Sequence, residues 1–432
     1  MSTAFALCLM ALFVLAAIGT PIALSMIVAA ILYLGMKGQD LALAAEQLIQ
    51  GLYDGFVLLA VPLFIVAAAI MNAGTISDRL LAFCVAVVGR FRGGLGHVNV
   101  AASLVFSGMS GSAVADAAGI GRIIIDMMTR DGRYAPGYAA ALTAASATIG
   151  PIIPPSIPMV LYALVSGTSI GYLFLAGIIP GLIMAAVLMG MNAWLSRQRG
   201  TALDEPVPLS RLPGITFRAL PALMMPVILL YGIYGGVTTP TEAAAVAAAY
   251  SLLLAGLVYR ALSLKGLYDI FLASAKSSAA IGLIIGGALI FNYIVASENI
   301  PKAVEGALVG LDISPTLFLL LVNAVLLVLG CVLDATTLIL VIIPLFLPTA
   351  RALGIDLVHF GVVTVVNAMI GLITPPYGIL LFVINATTGI PLRDMIREIW
   401  PFLFVLLLAL LVMILAPDTV LWLPRMMGYK GV

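Results

Sequence analysis

The stretch ASATIGPIIPPSIPMVL, residues 145–161, carries four prolines, at Pro151, Pro154, Pro155 and Pro158. The residues on both sides are apolar and have the composition of a membrane-spanning helix. Proline removes a backbone donor and breaks a helix, and an unpaired backbone group in hydrocarbon costs several kcal/mol. The segment therefore predicts a spanning helix interrupted in mid-membrane, where another group must satisfy the freed backbone.

Composition places the chain in a lipid bilayer. Of its 432 residues, 63% are hydrophobic and only 9% are charged, whereas soluble domains are about 25% charged. The net charge of +1 gives no reason to expect nucleic acid as a partner. The three cysteines and the two histidines, His97 and His359, show no disulfide or metal-binding spacing. We expect a polytopic membrane protein without an organic cofactor.

Candidate spans follow from the requirement of about 20 apolar residues per crossing. They are 4–35, 54–74, 78–90, 138–165, 171–195, 218–237, 241–259, 275–297, 357–388 and 398–416. The N-terminal run is longer than the apolar core of a signal peptide and lacks a basic region before it, so it is predicted to be a retained first span. The polar segment 196–217 is predicted to be a linker.

Two further apolar segments, 96–128 and 313–350, are interrupted midway by small and polar residues. Each arm is about 15 residues long, too short to cross comfortably. Both segments are therefore predicted to be re-entrant helical hairpins, with tips at 108–112 and 330–337.

The distribution of basic residues supports this topology. With an N-terminus in the periplasm and hairpins that do not cross, fourteen Lys and Arg residues, Lys37 among them, lie in the cytoplasm with the linker, and five, including Arg79, lie outside. Treating either hairpin as one crossing would invert the orientation of every later span and remove this charge bias. The first hairpin is thus predicted to enter from the cytoplasm and the second from the opposite side.

The chain contains an internal repeat. IGPIIPPSIPMVLY (149–162) aligns with IGLITPPYGILLFV (370–383) at a constant offset of 221. We therefore predict an all-α polytopic fold of two inverted-topology repeats, 1–195 and 218–432, each with about five transmembrane helices and one re-entrant hairpin. Interrupted helices at matching positions of two halves mark the binding site of many transporters.

The two interruptions have the chemistry of a cation site. Carbonyl oxygens of an unwound turn, together with Ser and Thr hydroxyls and the partial charges of helix ends, suit a hard monovalent cation such as sodium. The repeat pairs Gly150 with Gly371, Ile153 with Thr374, and Ser156 with Tyr377. The carbonyls of Gly150, Ile153 and Ser156 are expected to point into the first gap. A proline kink used only for packing is the alternative.

The hairpin tips add further oxygens beside each interruption. SGMSGSAVAD (107–116) and GCVLDATT (330–337) are rich in Gly, Ser, Thr and Asp. Asp116 and Asp334 are either functional intramembrane carboxylates or caps of the returning helical arm, and both interpretations stay open. A substrate cavity is expected between the two halves. Its candidate contacts are Ser112, Thr148, Ser156, Thr336, Thr337 and Asn385.

Two other kinds of protein are compatible with parts of the sequence. GMSG (108–111) resembles the nucleophile motif of an intramembrane serine protease, but that chemistry needs a histidine base within reach of Ser110. Neither histidine is expected at mid-depth. A channel would more often show a continuous polar path or a ring of charges. Here the polar groups cluster at the tips and interruptions, which favours alternating access.

Taken together, SGMSGSAVADAAGIG, IGPIIPPSIPMVLYALVSGTSI, LDATTLILVIIPLFLP and GLITPPYGILLFVINATTG resemble the large membrane (M) subunit of tripartite ATP-independent periplasmic (TRAP) transporters, which belong to the ion transporter superfamily. The resemblance covers essentially the whole chain. It implies two sodium sites, one at each tip and interruption. The first comprises Gly108, Ser110, Ser112, Gly150, Ile153 and Pro155, and the second comprises Gly330, Asp334, Gly371, Thr374 and Tyr377.

The resemblance also implies a transport cycle and partners. It implies sodium-coupled uptake of an organic acid, such as a C4-dicarboxylate, a sialic or other sugar acid, or a keto acid, by an elevator mechanism in the bacterial inner membrane. A small four-helix membrane subunit and a periplasmic solute-binding protein are the expected partners. A stand-alone sodium/carboxylate symporter of similar architecture is the alternative.

Overall fold

The computed structural model describes residues 2–72, 75–200, 207–309 and 313–431, and these residues form helices and connecting turns without a β-strand. The helices in chain order are α1 (Thr3–Ala17), α2 (Ile22–Met36), α3 (Ala42–Asp54), α4 (Ala60–Met71), α5 (Thr75–Val88), α6 (Gly94–Ser110), α7 (Ala113–Ala118), α8 (Ile120–Thr129), α9 (Pro136–Ala147), α10 (Ile157–Ser166), α11 (Ile170–Gln198), α12 (Leu212–Tyr234), α13 (Pro240–Leu253), α14 (Leu264–Ser297), α15 (Ile300–Val309), α16 (Pro315–Gly330), α17 (Ala335–Thr337), α18 (Ile343–Ala352), α19 (Leu357–Gly371), α20 (Ile379–Thr388), α21 (Leu392–Leu415) and α22 (Asp418–Met426).

The structure confirms the prediction of an all-helical polytopic membrane protein. Within the described residues, six helices are long and apolar enough to cross a bilayer. They are α11, α12, α13 with its π-helical extension, α14, the helix formed by α17 and α18 with the π-helical turn between them, and α21. Other apolar helices are shorter and occur in pairs, because glycines and prolines interrupt them.

The first predicted span, 4–35, is two helices and not one. α1 ends at Ala17 and α2 begins at Ile22. Between them Gly19 adopts a φ of +89°, a backbone conformation that favours glycine, and Pro21 directly precedes α2. The motif Gly-Thr-Pro thus marks a turn inside what reads as one continuous apolar run.

The two helices α1 and α2 are antiparallel. They pack against each other, and the residues at their far ends both contact Glu298: the Ser2 hydroxyl donates to it at 2.6 Å, and the Lys37 ammonium lies 2.9 Å from it. Ser2 and Lys37 therefore lie on the same side of the molecule. The prediction of a single crossing between them was wrong.

Both ends of α5 lie on the side of the molecule that carries the central linker, here named the linker side. The Arg79 guanidinium lies 4.3 Å from the ring of Tyr259, whose hydroxyl donates to the carbonyl of Arg218, just after the linker. Just beyond the C-terminal end of α5, the Gly93 carbonyl accepts a hydrogen bond from the amide of Asn192, near the end of α11. The predicted span 78–90 is thus wrong, since a 14-residue helix cannot both cross and return.

These two corrections leave the charge bias intact. Glu298 follows the 34-residue α14, which starts on the linker side and is about 50 Å long, so Glu298 and Lys37 lie on the opposite side. Arg79, which was predicted to lie outside, is on the linker side, and Lys37, which was predicted to lie in the cytoplasm, is on the opposite side. The excess of basic residues on the linker side is unchanged.

Each of the two helical hairpins enters and leaves on one side. α6 begins beside the end of α11 on the linker side, reverses at Gly111 and returns through α7 and α8 to that side. α16 runs alongside α19. The last turn of α18 carries Arg351, whose guanidinium donates to the carbonyl of Ser166 at the far end of α10. The two hairpins therefore approach the middle of the molecule from opposite sides.

The two interrupted helices run antiparallel. The Tyr162 hydroxyl in α10 donates to the carbonyl of Leu357, the first residue of α19, at 2.6 Å. At the other end, a Cβ on Gly137 in α9 would lie 2.8 Å from the carbonyl oxygen of Asp394, just after α20. The Pro-Pro peptide bond in each interruption is cis. These contacts bring both interruptions to the same depth between the hairpin tips.

Candidate functional site

The first interruption separates α9 from α10 by nine residues, 148–156. Ser156 begins α10: its hydroxyl accepts a bond from the Met159 N–H at 3.2 Å and donates to the carbonyl of Pro151. Its own carbonyl accepts from the Val160 N–H at 3.1 Å. The expectation that the Ser156 carbonyl points into the gap was wrong, because Ser156 is the N-cap of the second half-helix.

Six carbonyls of this interruption accept no hydrogen bond from a described residue: those of Thr148, Gly150, Ile152, Ile153, Pro154 and Pro155. Gly150 and Ile153 are two of the positions that the sequence pattern selects. In a continuous helix the Gly150 carbonyl would accept from the N–H of residue 154, but Pro154 has none. These oxygens are available to a bound ion, because a buried carbonyl without any partner is costly.

The tip of the first hairpin rests on the interruption. Gly111 adopts a φ of +58°, and a Cβ on it would lie 2.4 Å from the carbonyl oxygen of Pro155. A Cβ on Gly108 would lie 2.9 Å from Cγ of Pro226 in α12. Glycine is therefore required at 111 for two reasons, its positive φ and the closeness of the two backbones.

Asp116 places a carboxylate between this tip and the interruption. One oxygen, Oδ1, accepts a bond from the Ser110 hydroxyl at 2.5 Å. The other, Oδ2, is buried and has no hydrogen-bond partner, and the whole residue is 2% exposed. A Cβ on Gly150 would lie 2.4 Å from Oδ2. An ionised carboxylate in such a place needs a cation beside it.

Asp116 is not the cap of the returning helical arm, because Ser112 fills that position. Ser112 caps α7, because its hydroxyl accepts from the Ala115 N–H at 3.4 Å. Asp116 is therefore free for another role. It is absent from the sodium ligands that the resemblance implies. The signal that identifies it is the rarity of a carboxylate within an apolar segment.

Asp334, unlike Asp116, is a helix cap. Asp334 caps α17: its carboxylate accepts from the Thr337 N–H at 3.1 Å and from the Thr337 hydroxyl at 2.5 Å. Beside it the end of α16 touches the end of α19, where a Cβ on Gly371 would lie 2.9 Å from Cα of Gly330. The second tip and the second interruption are thus joined through two glycines.

The second interruption differs from the first in that the carbonyl of Gly371 is paired, whereas that of Gly150 is not. The Gly371 carbonyl accepts from the Thr374 N–H at 3.0 Å, and the Leu372 carbonyl accepts from the Leu380 N–H at 3.0 Å. The Thr374 hydroxyl donates to the carbonyl of Ile370 at 2.8 Å. Tyr377 is 57% exposed. The Gly371 carbonyl is therefore not free, although an oxygen with two lone pairs can accept once more.

One cavity of about 200 Å³ lies among both tips and both interruptions. It is lined by Gly111, Ser112, Ala113, Val114, Pro151, Ile157, Pro158, Ile281, Asp334, Ala335, Thr336, Met369, Leu372 and Ile379. Residues distant in sequence, such as Ser112 and Thr336, thus meet at one site. An adjoining cavity of about 440 Å³ shares Ser112, Ile157 and Ile281 and adds the polar side chains of Asn72, Ser110, Ser274 and Ser277.

The remaining candidate substrate contacts do not line either cavity. Thr148 is fully buried and its hydroxyl donates to the carbonyl of Ala145 at 2.6 Å. Asn385 lies near the far end of α20, where its amide donates to the carbonyl of Ile390 at 2.8 Å. Ser156 and Thr337 serve the helix ends described above. Conversely, Ser274 and Ser277 in α14 were not predicted, because no local pattern distinguishes them.

The arrangement around Ser110 is not that of a serine protease. Its hydroxyl donates to Asp116 and not to a histidine. A ring nitrogen of His97 lies 3.1 Å from the carbonyl of Arg92, and one of His359 lies 2.9 Å from the carbonyl of Met413. Both histidines are thus engaged with backbone elsewhere.

Two interrupted helices and two hairpin tips around a central cavity define a membrane transporter. The family model described as tripartite ATP-independent periplasmic transporter, DctM component, matches residues 9–419. The chain belongs to this family of TRAP transporter large permeases, and it is a transporter and not an enzyme. It is a multi-span membrane protein of a bacterial family.

Relatives of this chain carry different substrate names. It is 41% identical to the sialic acid TRAP transporter large permease protein SiaM of Vibrio cholerae, over 95% of this chain and 96% of the relative. It is 40% identical to the C4-dicarboxylate large permease DctM of Pseudomonas aeruginosa, over 87% and 88%. It is 36% identical to the 2,3-diketo-L-gulonate large permease YiaN of Escherichia coli, over 94% and 95%.

A solved structure shares the fold. The YdaH transporter of Alcanivorax borkumensis matches with a TM-score of 0.58 over 85% of this chain and 86% of its own, at 16% identity. At this identity the likeness concerns the fold alone.

Proposed function

We propose that this protein takes up an organic acid in symport with sodium across the bacterial inner membrane. The observation that carries the proposal is the unpaired, buried carboxylate oxygen of Asp116 beside Gly150. It lies against the backbone of the interruption that holds the unpaired carbonyls of Gly150 and Ile153, and its neighbours Ser112 and Ala113 line the central cavity. A monovalent cation there satisfies all of these groups at once.

The first sodium ion is proposed to bind between the first tip and the first interruption. Its ligands would be the carboxylate of Asp116, the Ser110 hydroxyl and the carbonyls of Gly150 and Ile153. These are hard oxygen donors, the kind that suits sodium. Pro155 shapes the site through its close contact with Gly111, beside Ser112 at the tip, and Gly108 packs against Pro226 of α12.

A second sodium ion is proposed at the second tip and interruption. Gly330 and Gly371 bring the two backbones together there. The carboxylate of Asp334 and the hydroxyl of Thr374 are the proposed side-chain ligands, and Tyr377 follows in the same turn. Both Asp334 oxygens already accept bonds from Thr337, but a carboxylate can accept about four.

The substrate is proposed to be a carboxylate bound in the central cavity. The relatives are named for sialic acid, C4-dicarboxylates and diketo-gulonate, all of which are organic acids. No Lys or Arg lines either central cavity in the described part of the chain. The negative charge of the substrate would then be balanced by the adjacent sodium ions, which couples the two bindings. Ser112 and Thr336 offer hydroxyls to the substrate.

The proposed transport cycle is an elevator in which the hairpins and interrupted helices move together. Two features support it. α9, α10, α19 and α20 are joined directly to one another, as through Tyr162 and Leu357. A hairpin followed by an interrupted helix occurs in each half of the chain, and the two hairpins enter from opposite sides. With α1, α2, α4, α9–α10 and α11 crossing, and α12, α13, α14, α19–α20 and α21 crossing, the proposal is two inverted repeats of five spans.

The proposed orientation puts the central linker in the cytoplasm and the N-terminus in the periplasm. The excess of Lys and Arg on the linker side supports it. The proposed partners are a small four-helix membrane subunit and a periplasmic binding protein that delivers the substrate.

Reconstitution tests the proposal. The protein would be placed in proteoliposomes with its small subunit, and the binding protein loaded with a labelled organic acid would be added outside. Uptake should require an inward sodium gradient. Full uptake driven by a proton gradient or by ATP alone would contradict the sodium coupling. Uptake without the binding protein and the small subunit would favour the stand-alone symporter.

A further inference from the structure

A separate cavity lies on the linker side of the molecule, away from the two central cavities. It has a volume of about 340 Å³ and is lined by Val88, Phe91, Arg92, His97, Met189, Ala193 and Arg197. One wall is the turn between α5 and α6, and the other is the last turns of α11. No acidic residue of the described chain lines it.

The two arginines of this cavity have no acidic partner among the described residues. Neither Arg92 nor Arg197 forms an ion pair with a described residue, and both are exposed. By contrast Arg199, two residues further on, forms a bidentate pair with Glu398 at 3.2 and 2.6 Å. Two unpaired guanidinium groups facing one cavity favour an anion with several oxygens, such as a phosphate.

The rest of the cavity is apolar and extends along the membrane span. Met189, Ala193 and Arg197 stand four residues apart and so form one stripe of α11. Arg197 lies at the end of this 29-residue apolar helix, and Met189 lies about 12 Å deeper. Val88 and Phe91 face the stripe from the other wall. A ligand with a charged head at the boundary and an apolar chain below it matches this gradient.

We propose that this cavity binds an anionic glycerophospholipid, with its phosphate between Arg92 and Arg197 and an acyl chain along Met189 and Val88. Basic pockets between helices at the linker-side boundary have the chemistry for anionic head groups. The lipid would lie between α11 and the turn that leads into the first hairpin. A free phosphate has the same head chemistry but makes no use of the apolar wall.

Tryptophan fluorescence gives a local test. Trp194 is 53% exposed and one turn before Arg197 on α11. In the full-length protein with Trp400→Phe and Trp422→Phe, brominated phosphatidylglycerol or brominated phosphatidylcholine of identical chains is titrated into micelles. We expect Trp194 to be quenched at about tenfold lower mole fraction of the anionic lipid, since each arginine near the surface contributes to such attraction.

Matched variants decide the assignment. Arg92→Gln with Arg197→Gln should remove the preference, whereas Arg393→Gln with Arg397→Gln, an exposed pair on α21, should keep it. An absent preference, or one that survives the first pair of changes, would overturn the proposal. So would its loss on adding millimolar inorganic phosphate, which identifies a free-anion site. If the double variant does not purify, Arg197→Gln alone carries the test, because its side chain is exposed at the helix end.

Discussion

The unpaired oxygen of Asp116 lies against the backbone of Gly150, so close that a Cβ at position 150 would be 2.4 Å from it. The two residues are 34 positions apart and belong to different elements, the returning arm of a hairpin and an interrupted helix. Their contact joins the tip to the interruption. It also creates the site where we propose that the first sodium ion binds.

Gly150→Ala should therefore impair transport. The added methyl group overlaps the Asp116 carboxylate, and overpacking of this kind costs about 1–3 kcal/mol. We expect sodium-driven uptake into proteoliposomes to fall at least about tenfold. Gly190→Ala is the matched control, because a Cβ there meets nothing within 4 Å. Equal uptake by both variants would show that the tip can move away without consequence.

Asp116→Asn should weaken sodium binding without destabilising the protein. The amide keeps the shape and can still accept from Ser110, but it removes the charge that balances the cation. A neutral amide is also easier to bury than a carboxylate. We expect the sodium concentration for half-maximal uptake to rise at least about tenfold, on the scale of a lost buried ion pair.

The control for this prediction is Asp126→Asn, an exposed carboxylate on the same hairpin. Its sodium dependence should equal that of the unmodified protein. If Asp116→Asn also retains it, the first sodium site is not at Asp116.

The outline of this site could be predicted from sequence because its signals are local. A Pro-Pro pair removes two successive backbone donors, so both interruptions follow from Pro154–Pro155 and Pro375–Pro376, whereas the single Pro180 lies inside the continuous helix α11. The first predicted span failed for a related reason. Gly19 and Pro21 carry a turn signal, but the apolar residues around them read as one continuous helix.

Roles that depend on three-dimensional neighbours could not be predicted. Asp116 and Asp334 look alike in sequence, each following a Gly-rich turn. In the structure, however, Asp334 occupies the N-cap position that Ser112 occupies in the first hairpin, an offset of 222 residues. Whether a carboxylate caps a helix or faces a second element depends on which residue already fills the cap.

Asp334→Ser separates the two roles of that residue. Serine is an equally good N-cap, whereas alanine loses a cap worth about 1 kcal/mol. We expect the serine variant to keep its thermal stability but to need several-fold more sodium for half-maximal uptake. The alanine variant should have both a lower thermal stability and a weaker sodium affinity. Unchanged sodium dependence of the serine variant would show that Asp334 acts only as a cap.

Thr374→Val tests the other side chain of the second proposed site. Valine keeps the shape of threonine but lacks the hydroxyl. In the unmodified protein this hydroxyl donates to the carbonyl of Ile370, and its oxygen has lone pairs left for a cation. We expect the sodium affinity to fall several-fold, measured by uptake. Thr364→Val is the control: its fully buried hydroxyl donates to Phe360 two turns below the interruption. Matching behaviour of the two variants would refute the second site.

The cluster around Glu298 should make stability depend on pH. Hydrogen bonds from the Ser2 hydroxyl at 2.6 Å, from Lys37 at 2.9 Å, from the Ser2 N–H and from Tyr33 lower the pKa of Glu298 from 4.5 to about 2. A lowered pKa means that the folded state favours the charged form. The contribution is therefore complete above about pH 4.5, and it is lost as the pH falls from there towards 2.

Glu298→Gln should thus lower the thermal unfolding midpoint at pH 7, and the difference from the unmodified protein should narrow below pH 4.5. Its physical basis is that the network joins the free end of α1 and the end of α2 to the end of α14, so its loss loosens three helices at once. Glu46→Gln, an exposed carboxylate on α3, should show no such difference at either pH. A midpoint gap that stays constant from pH 7 to pH 3 would mean that Glu298 stabilises through shape alone, and that its charge contributes nothing to holding α1 and α2 in place.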